Sequence, residues 1–149
     1  MLQHVEVKVD LDSLNKSNHI TGIIYFMIDF HKSYPEENWS DFVVINLSWW
    51  VKSLKSLIIS DIGRTYEFDF MDGTPIILAK KITNDEIELS CFDGKTIEFQ
   101  VICNIGQFRD SLLTTAKKVI RDIDRKKWSS EEIEELRNLV VSLDKYPFS

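Results

Sequence analysis

Few residues of this sequence have the types and spacing that catalysis or metal binding requires. The three histidines, His4, His19 and His31, lie in separate segments and show neither the H-E-x-x-H pattern nor an i,i+4 pair. No serine lies in a G-x-S-x-G turn, so no hydrolase nucleophile is indicated. The glycines are scattered and form no phosphate-binding loop. We therefore predict a protein that is not an enzyme and that holds neither a metal ion nor another cofactor.

The two cysteines and the most apolar run bear on the compartment. Cys91 and Cys103 have no C-x-x-C spacing, so neither a zinc site nor a disulfide framework is expected. The run from Phe42 to Val51 is far shorter than the roughly 20 apolar residues that cross a membrane. The N-terminus alternates polar and apolar residues, unlike a secretory signal. These features predict a cytoplasmic protein that does not enter a membrane.

Charge limits the class of partner. The chain has 149 residues, which suits a single domain over residues 1–149. It carries 18 basic and 24 acidic residues, a formal net charge of −6. Residues 1–103 hold 16 of the acidic residues and 9 of the basic ones. A nucleic-acid binder needs a basic surface, so this class of function is disfavoured.

Hydrophobic periodicity predicts an α+β fold with the element order β-β-α-β-β-β-β-α-α. We expect a mainly antiparallel sheet of about six strands, packed against one apolar helix and two C-terminal helices. The strand from Ile20 to Phe30 is apolar on both parities and is expected to be buried on both faces. The apolar helix is predicted over Asp41 to Ile58, capped by Ser40 or Asp41. Ser129 and Glu132 are expected to cap the last helix, and Pro147 to end helical structure.

The turn at Asp93-Gly94 allows a prediction of strand register. A two-residue loop would place Leu89 opposite Glu98 and would mix apolar and polar residues on one face. A loop of odd length restores the match, so that Leu89 and Ile87 face Ile97 and Phe99, or Phe99 and Val101. We therefore predict a three-residue loop with Gly94 in the left-handed conformation.

Acidic residues occupy the polar positions of the alternating strands. The candidate set is Glu67, Asp69, Glu86, Glu88 and Glu98. One interpretation is a solvated sheet face that keeps the protein soluble. The other is a docking surface for a basic partner, because opposite charge accelerates encounter.

The apolar helix carries a second apolar ridge. At 100° per residue, Phe42, Ile45 and Trp49 share one side, away from the expected core face that holds Trp50. Either the C-terminal helices or the loop from Tyr34 to Trp39 covers this ridge, or a partner does, since tryptophan anchors are common in binding hot spots. We count the ridge and Trp39 among the candidate partner-binding residues.

The segment from residue 30 to residue 57 resembles small bacterial immunity-type proteins, which are encoded beside polymorphic toxins. The resemblance rests on Tyr34-Pro35, Trp39-Ser40-Asp41-Phe42 and Trp49-Trp50. It implies a cytoplasmic protein that binds and blocks a cognate toxin, and it transfers no catalytic residue.

The sequence therefore favours a non-enzymatic binding protein, monomeric or homodimeric, that occludes a protein partner such as a basic toxin domain. Two alternatives stay open. One is a ligand-binding or enzymatic domain with a pocket between sheet and helices, lined by His31, Trp39, Trp49 and Tyr66. The other is a self-associating structural subunit.

Overall fold

The computed structural model describes residues 2–71 and 73–145. Within them lie nine strands and three α-helices, which confirms the α+β class and the antiparallel pairing. The strands are β1 (Val5–Val9), β2 (Asn15–Lys16), β3 (Ile20–Ile28), β4 (Lys32–Tyr34), β5 (Ser40–Phe42), β6 (Thr65–Asp69), β7 (Ile76–Lys81), β8 (Glu86–Asp93) and β9 (Thr96–Asn104). The helices are α1 (Val43–Ile59), α2 (Ile105–Arg125) and α3 (Glu131–Asp144). Pro147, which is expected to end helical structure, lies outside the described residues.

The strands form two sheets instead of one sheet of about six strands. In the five-stranded sheet, β3 is the central strand and pairs antiparallel with β1, β2, β4 and β5. In the four-stranded sheet, β6 to β9 follow one another as an antiparallel meander. The division occurs where α1 separates β5 from β6. Strand β3 is buried on one face only, since Ile24 and Phe26 are buried while Tyr25 and Met27 are half-buried.

Both sheets and all three helices contribute to one hydrophobic core. The Trp50 ring of α1 lies 4.8 Å from that of Phe26 in β3 and 5.1 Å from that of Phe70, just beyond β6. The Phe108 ring of α2 meets that of Phe68 in β6 edge-on at 5.5 Å. Helices α1 and α2 therefore cover the inner side of the four-stranded sheet.

In the β8–β9 hairpin, apolar residues of the two strands face one another as expected, but the loop is shorter than predicted. The loop has two residues, Gly94 and Lys95, because Asp93 pairs with Thr96. Gly94 has the predicted positive φ, at 63°. The predicted third loop residue is absent, and a β-bulge between the Phe92–Ile97 and Cys91–Phe99 pairs supplies the odd residue, Glu98. The bulge places Leu89 opposite Val101 and Ile87 opposite Cys103. Apolar residues still face one another, but both predicted sets of partners are wrong.

Both predicted caps differ in detail. Helix α1 begins at Val43 because Asp41 belongs to β5, where its carboxylate accepts hydrogen bonds from Trp39 Nε1 and from the Phe42 amide. Helix α3 is capped by Ser130, not Ser129, and the Ser130 hydroxyl accepts from the Ile133 amide.

Helix α2 closes the outer edge of β1 with side chains. Gln107 bonds both the amide and the carbonyl of Val5, at 3.1 and 2.7 Å. Ser111 accepts from the Val7 amide and Thr115 donates to the Val7 carbonyl. These three polar residues recur every four positions, so one side of the helix replaces the missing neighbouring strand.

The Tyr34 hydroxyl joins the two sheets. It bonds the Phe92 carbonyl at 2.6 Å and lies 3.0 Å from both the amide and the carbonyl of Ile76. Burial raises the pKa of this phenol to about 12, so it stays neutral and can donate at physiological pH. Ile76 and Phe92 are directly paired, so Tyr34 fixes the β7–β8 register at that end.

Replacing Tyr34 with phenylalanine should lower the free energy of unfolding by about 1–3 kcal/mol, because the Ile76 amide would be left without its acceptor. Chemical denaturation at neutral pH measures this change. Tyr25→Phe is the matched control, since the Tyr25 hydroxyl bonds no described residue. Equal losses in the two variants would contradict the bridging role.

Candidate protein-binding surface

The four-stranded sheet has an outer face, on the side opposite to α1 and α2. Cross-strand pairing places alternate residues on the two faces. The inner rows include Phe68, Ile77 and Cys91, all buried. The outer face consists of Thr65, Glu67, Asp69, Ile76, Leu78, Lys80, Glu86, Glu88, Ser90, Phe92, Ile97, Gln100, Ile102 and Asn104.

The apolar part of this face was not predicted from the sequence. Five of its members are apolar and are partly or largely exposed, with Ile97 at 49%. They are Ile76, Leu78, Phe92, Ile97 and Ile102. The signal was present in the run from Ile76 to Ala79, which is apolar on both parities and so favours a strand with two apolar faces.

The predicted carboxylates mostly share this face. Glu67, Asp69, Glu86 and Glu88 lie in its rows. Glu98 is the unpaired residue of the β-bulge and is exposed at the sheet edge. The structure therefore brings four of the five acidic candidates together, among apolar side chains.

Within the described chain, none of these carboxylates forms an ion pair. The helices behave differently, because seven of the eight acidic residues after Asn104 are paired with a basic side chain. Asp124 bonds Arg137 at 2.9 Å, and Asp144 bonds Lys117 at 2.8 Å. The negative charge of the outer face is therefore offset only in part, by Lys80 opposite Glu88.

Asp69 has the most unusual environment of these residues. Its Oδ1 atom is buried and has no hydrogen-bond partner among the described residues. Burial raises the pKa of the Asp69 carboxyl above its ordinary value, and the neighbouring charge of Glu67 raises it further. A cationic hydrogen-bond donor bound beside Asp69 would offset both the cost of burial and the repulsion from Glu67.

The ridge residues belong to two elements. Phe42 is the last residue of β5, Ile45 and Trp49 belong to α1, and all three are half-buried. Helix α1 covers the edge of β6, because Trp50 and Ser53 donate to β6 carbonyls. Phe42 lies against the His19 ring, and Trp49 packs partly on the core. Trp39 donates its indole N–H to Asp41 and meets Phe70 edge-on. Among the described residues, no hydrogen bond links this ridge or Trp39 to the carboxylates of the outer face.

Of the residues predicted to line a pocket, Tyr66 lines a groove of about 370 Å³ beside the end of α1. Another groove, of about 930 Å³, lies between β1 and α2, and none of His31, Trp39, Trp49 and Tyr66 lines it. His31 is occupied by a contact from its Nδ1 to the Asp29 carbonyl, at 2.8 Å.

Neither a metal-binding cluster nor a reactive thiol is found in the part of the chain that the structure describes. No set of three or more His, Cys, Asp or Glu side chains there is placed to hold a metal ion. Burial raises the pKa of Cys91 and Cys103 to about 12, so both thiols stay protonated and unreactive. None of the described helices has the length and apolarity to cross a membrane.

Comparison with known proteins adds no relative. No protein-family model matches this chain, and neither a curated protein nor a solved structure is significantly similar to it. The function must therefore be argued from the surface itself.

Asp69→Asn should stabilise the free protein at neutral pH. The folded-state pKa of Asp69 lies above the ordinary 3.8, so ionised Asp69 destabilises the folded state above that folded pKa, and the effect is absent well below 3.8. We expect Tm to rise by about 1–2 °C at neutral pH and to match that of the original protein near about pH 3.

Scanning calorimetry at both pH values measures this difference. Glu88→Gln is the control, because Glu88 lies directly opposite Lys80 and its neutralisation should give no gain. A lower Tm for Asp69→Asn at neutral pH would show that the carboxylate is stabilising, contrary to this account.

Proposed function

We propose that this protein is a non-enzymatic binding protein whose outer face receives a basic protein partner. The observation that carries the proposal is the combination of four carboxylates that form no ion pair with five accessible apolar side chains on one sheet face. Apolar anchors supply contact area, and charges around them supply steering and register.

The charge of the face selects the class of partner. Lys80 is the only basic residue among its members, against four carboxylates. A second copy of this face, a nucleic acid or an anionic membrane surface would each be repelled. A segment that alternates cationic and apolar residues matches both properties of the face.

Occlusion is the simplest mechanism for such a surface. Long-range attraction brings the partner to the face, and burial of Leu78, Phe92 and Ile97 then slows its dissociation. A basic toxin domain blocked in the cytoplasm, as for an immunity protein, is the form of partner that we favour. The excess of carboxylates on the outer face supports this choice.

A titration followed by NMR tests the proposal. A synthetic peptide that alternates arginine and valine should shift the amide signals of Leu78, Ser90 and Gln100 in the ¹⁵N-labelled protein. Its affinity should fall about fivefold or more when ionic strength rises from about 0.05 M to about 0.3 M, because screening weakens the attraction. The corresponding glutamate–valine peptide should leave these signals unchanged.

Two variants with the same net charge distinguish binding at the outer face from a general effect of the acidic charge of the protein. The test variant combines Glu67→Gln, Asp69→Asn, Glu86→Gln and Glu88→Gln. The control variant combines Asp12→Asn, Glu36→Gln, Glu37→Gln and Glu131→Gln, at exposed positions outside the four-stranded sheet. We expect only the first to lose peptide binding. Equal loss in both, or signal changes spread over the whole molecule, would remove the basis of the proposal.

A further inference from the structure

Cross-strand pairing arranges the outer face in rows that run from β6 to β9. Directly paired residues share a row, and neighbouring strands lie about 4.8 Å apart. The row at the end of the sheet that Tyr34 bonds consists of Asp69, Ile76, Phe92 and Ile97. Three adjacent apolar side chains therefore lead to a single carboxylate at the β6 end of this row.

The surroundings of Asp69 on this face are acidic. The next row begins with Glu67, and its other members are uncharged. Lys80 lies two rows from Asp69 and directly opposite Glu88. Burial raises the pKa of the Asp69 carboxyl, and Glu67, the one charged side chain among the described residues that shifts it, raises it further. Among the members of the outer face, β6 thus contributes two carboxylates and no basic side chain.

The free protein leaves the Asp69 carboxylate incompletely satisfied. Its Oδ1 atom is buried without a hydrogen-bond partner in the part of the chain described, and the residue directly opposite is the apolar Ile76. A buried acceptor without a donor destabilises the folded state. The last torsion of an aspartate side chain is broad, so a small rotation can turn this oxygen toward a donor on the face. Ionisable groups in such perturbed environments are concentrated at functional sites.

We propose that Asp69 receives an arginine of the basic partner at the end of this apolar row. The inference rests on the proposed function and names the side chain that the partner must supply there. A guanidinium is more weakly hydrated than an ammonium, so it loses less hydration when it lies beside Ile76. Its rigid fork of N–H donors also matches the geometry of a carboxylate. Arginine is therefore favoured over lysine at this position.

Calorimetric titration with two peptides of equal charge tests this inference. One peptide alternates arginine and valine, and the other alternates lysine and valine. The original protein should bind the arginine peptide about fivefold or more tightly than the lysine peptide. Asp69→Asn should lose affinity for the arginine peptide and bind the two peptides equally within about twofold, because the carboxylate that matches the guanidinium is gone.

Asp12→Asn is the matched control. It removes one negative charge by the same chemical change, at an exposed position outside the four-stranded sheet, and should keep the preference for arginine. The Tm of each variant is measured alongside. Asp69→Asn should bind more weakly although its Tm is higher than that of the original protein, a combination that loss of structure does not produce.

The outcomes distinguish this inference from the function on which it rests. Equal binding of both peptides by the original protein overturns the role of Asp69 and leaves the function standing. The same holds if the preference survives Asp69→Asn or is lost equally in Asp12→Asn. A fall in Tm of more than about 5 °C in Asp69→Asn overturns it as well, since the carboxylate would then be structural. Absence of outer-face signal changes when the arginine peptide is added to the original protein overturns both.

Discussion

The alternation of side chains along β6 to β9 is the constraint on which this molecule depends. Each strand must send every second residue to each face, and the helices cover one face only. The covered side, with Phe68, Ile77 and Leu89, forms part of the core. The other side is fixed by the same register, so Tyr34 at the Ile76–Phe92 pair stabilises the core and orders the outer face together.

Three strand edges of the two sheets are protected against pairing with a further strand. Side chains of α2 satisfy β1, and Trp50 and Ser53 of α1 bond carbonyls of β6. At β9, the bulge at Glu98 disrupts regular pairing, a common protection against strand addition. The proposed partner would therefore contact side chains on the outer face instead of extending the sheet as a further strand.

Local patterns predicted the fold class and the acidic rows, because period two and period 3.6 are direct consequences of backbone geometry. Interactions distant in sequence explain what the patterns missed. Strands β4 and β5 have three residues each and exist through pairing with β3. The division of the strands into two sheets also depends on contacts between residues distant in sequence.

Asp41 was expected to cap α1, but its carboxylate instead accepts hydrogen bonds from Trp39 and from the Phe42 amide. The carboxylates were predicted from alternation, whereas their apolar neighbours emerged only once cross-strand pairing was known.

Site-specific photo-crosslinking in living cells tests the central claim most directly. A benzoylphenylalanine placed at Gln100, which is exposed on the outer face, should form a crosslink to a basic protein. The same group at Asn138, which is exposed on α3, should not capture that protein. Equal capture at both positions, or capture at Asn138 alone, would contradict the view that this protein acts through its outer face.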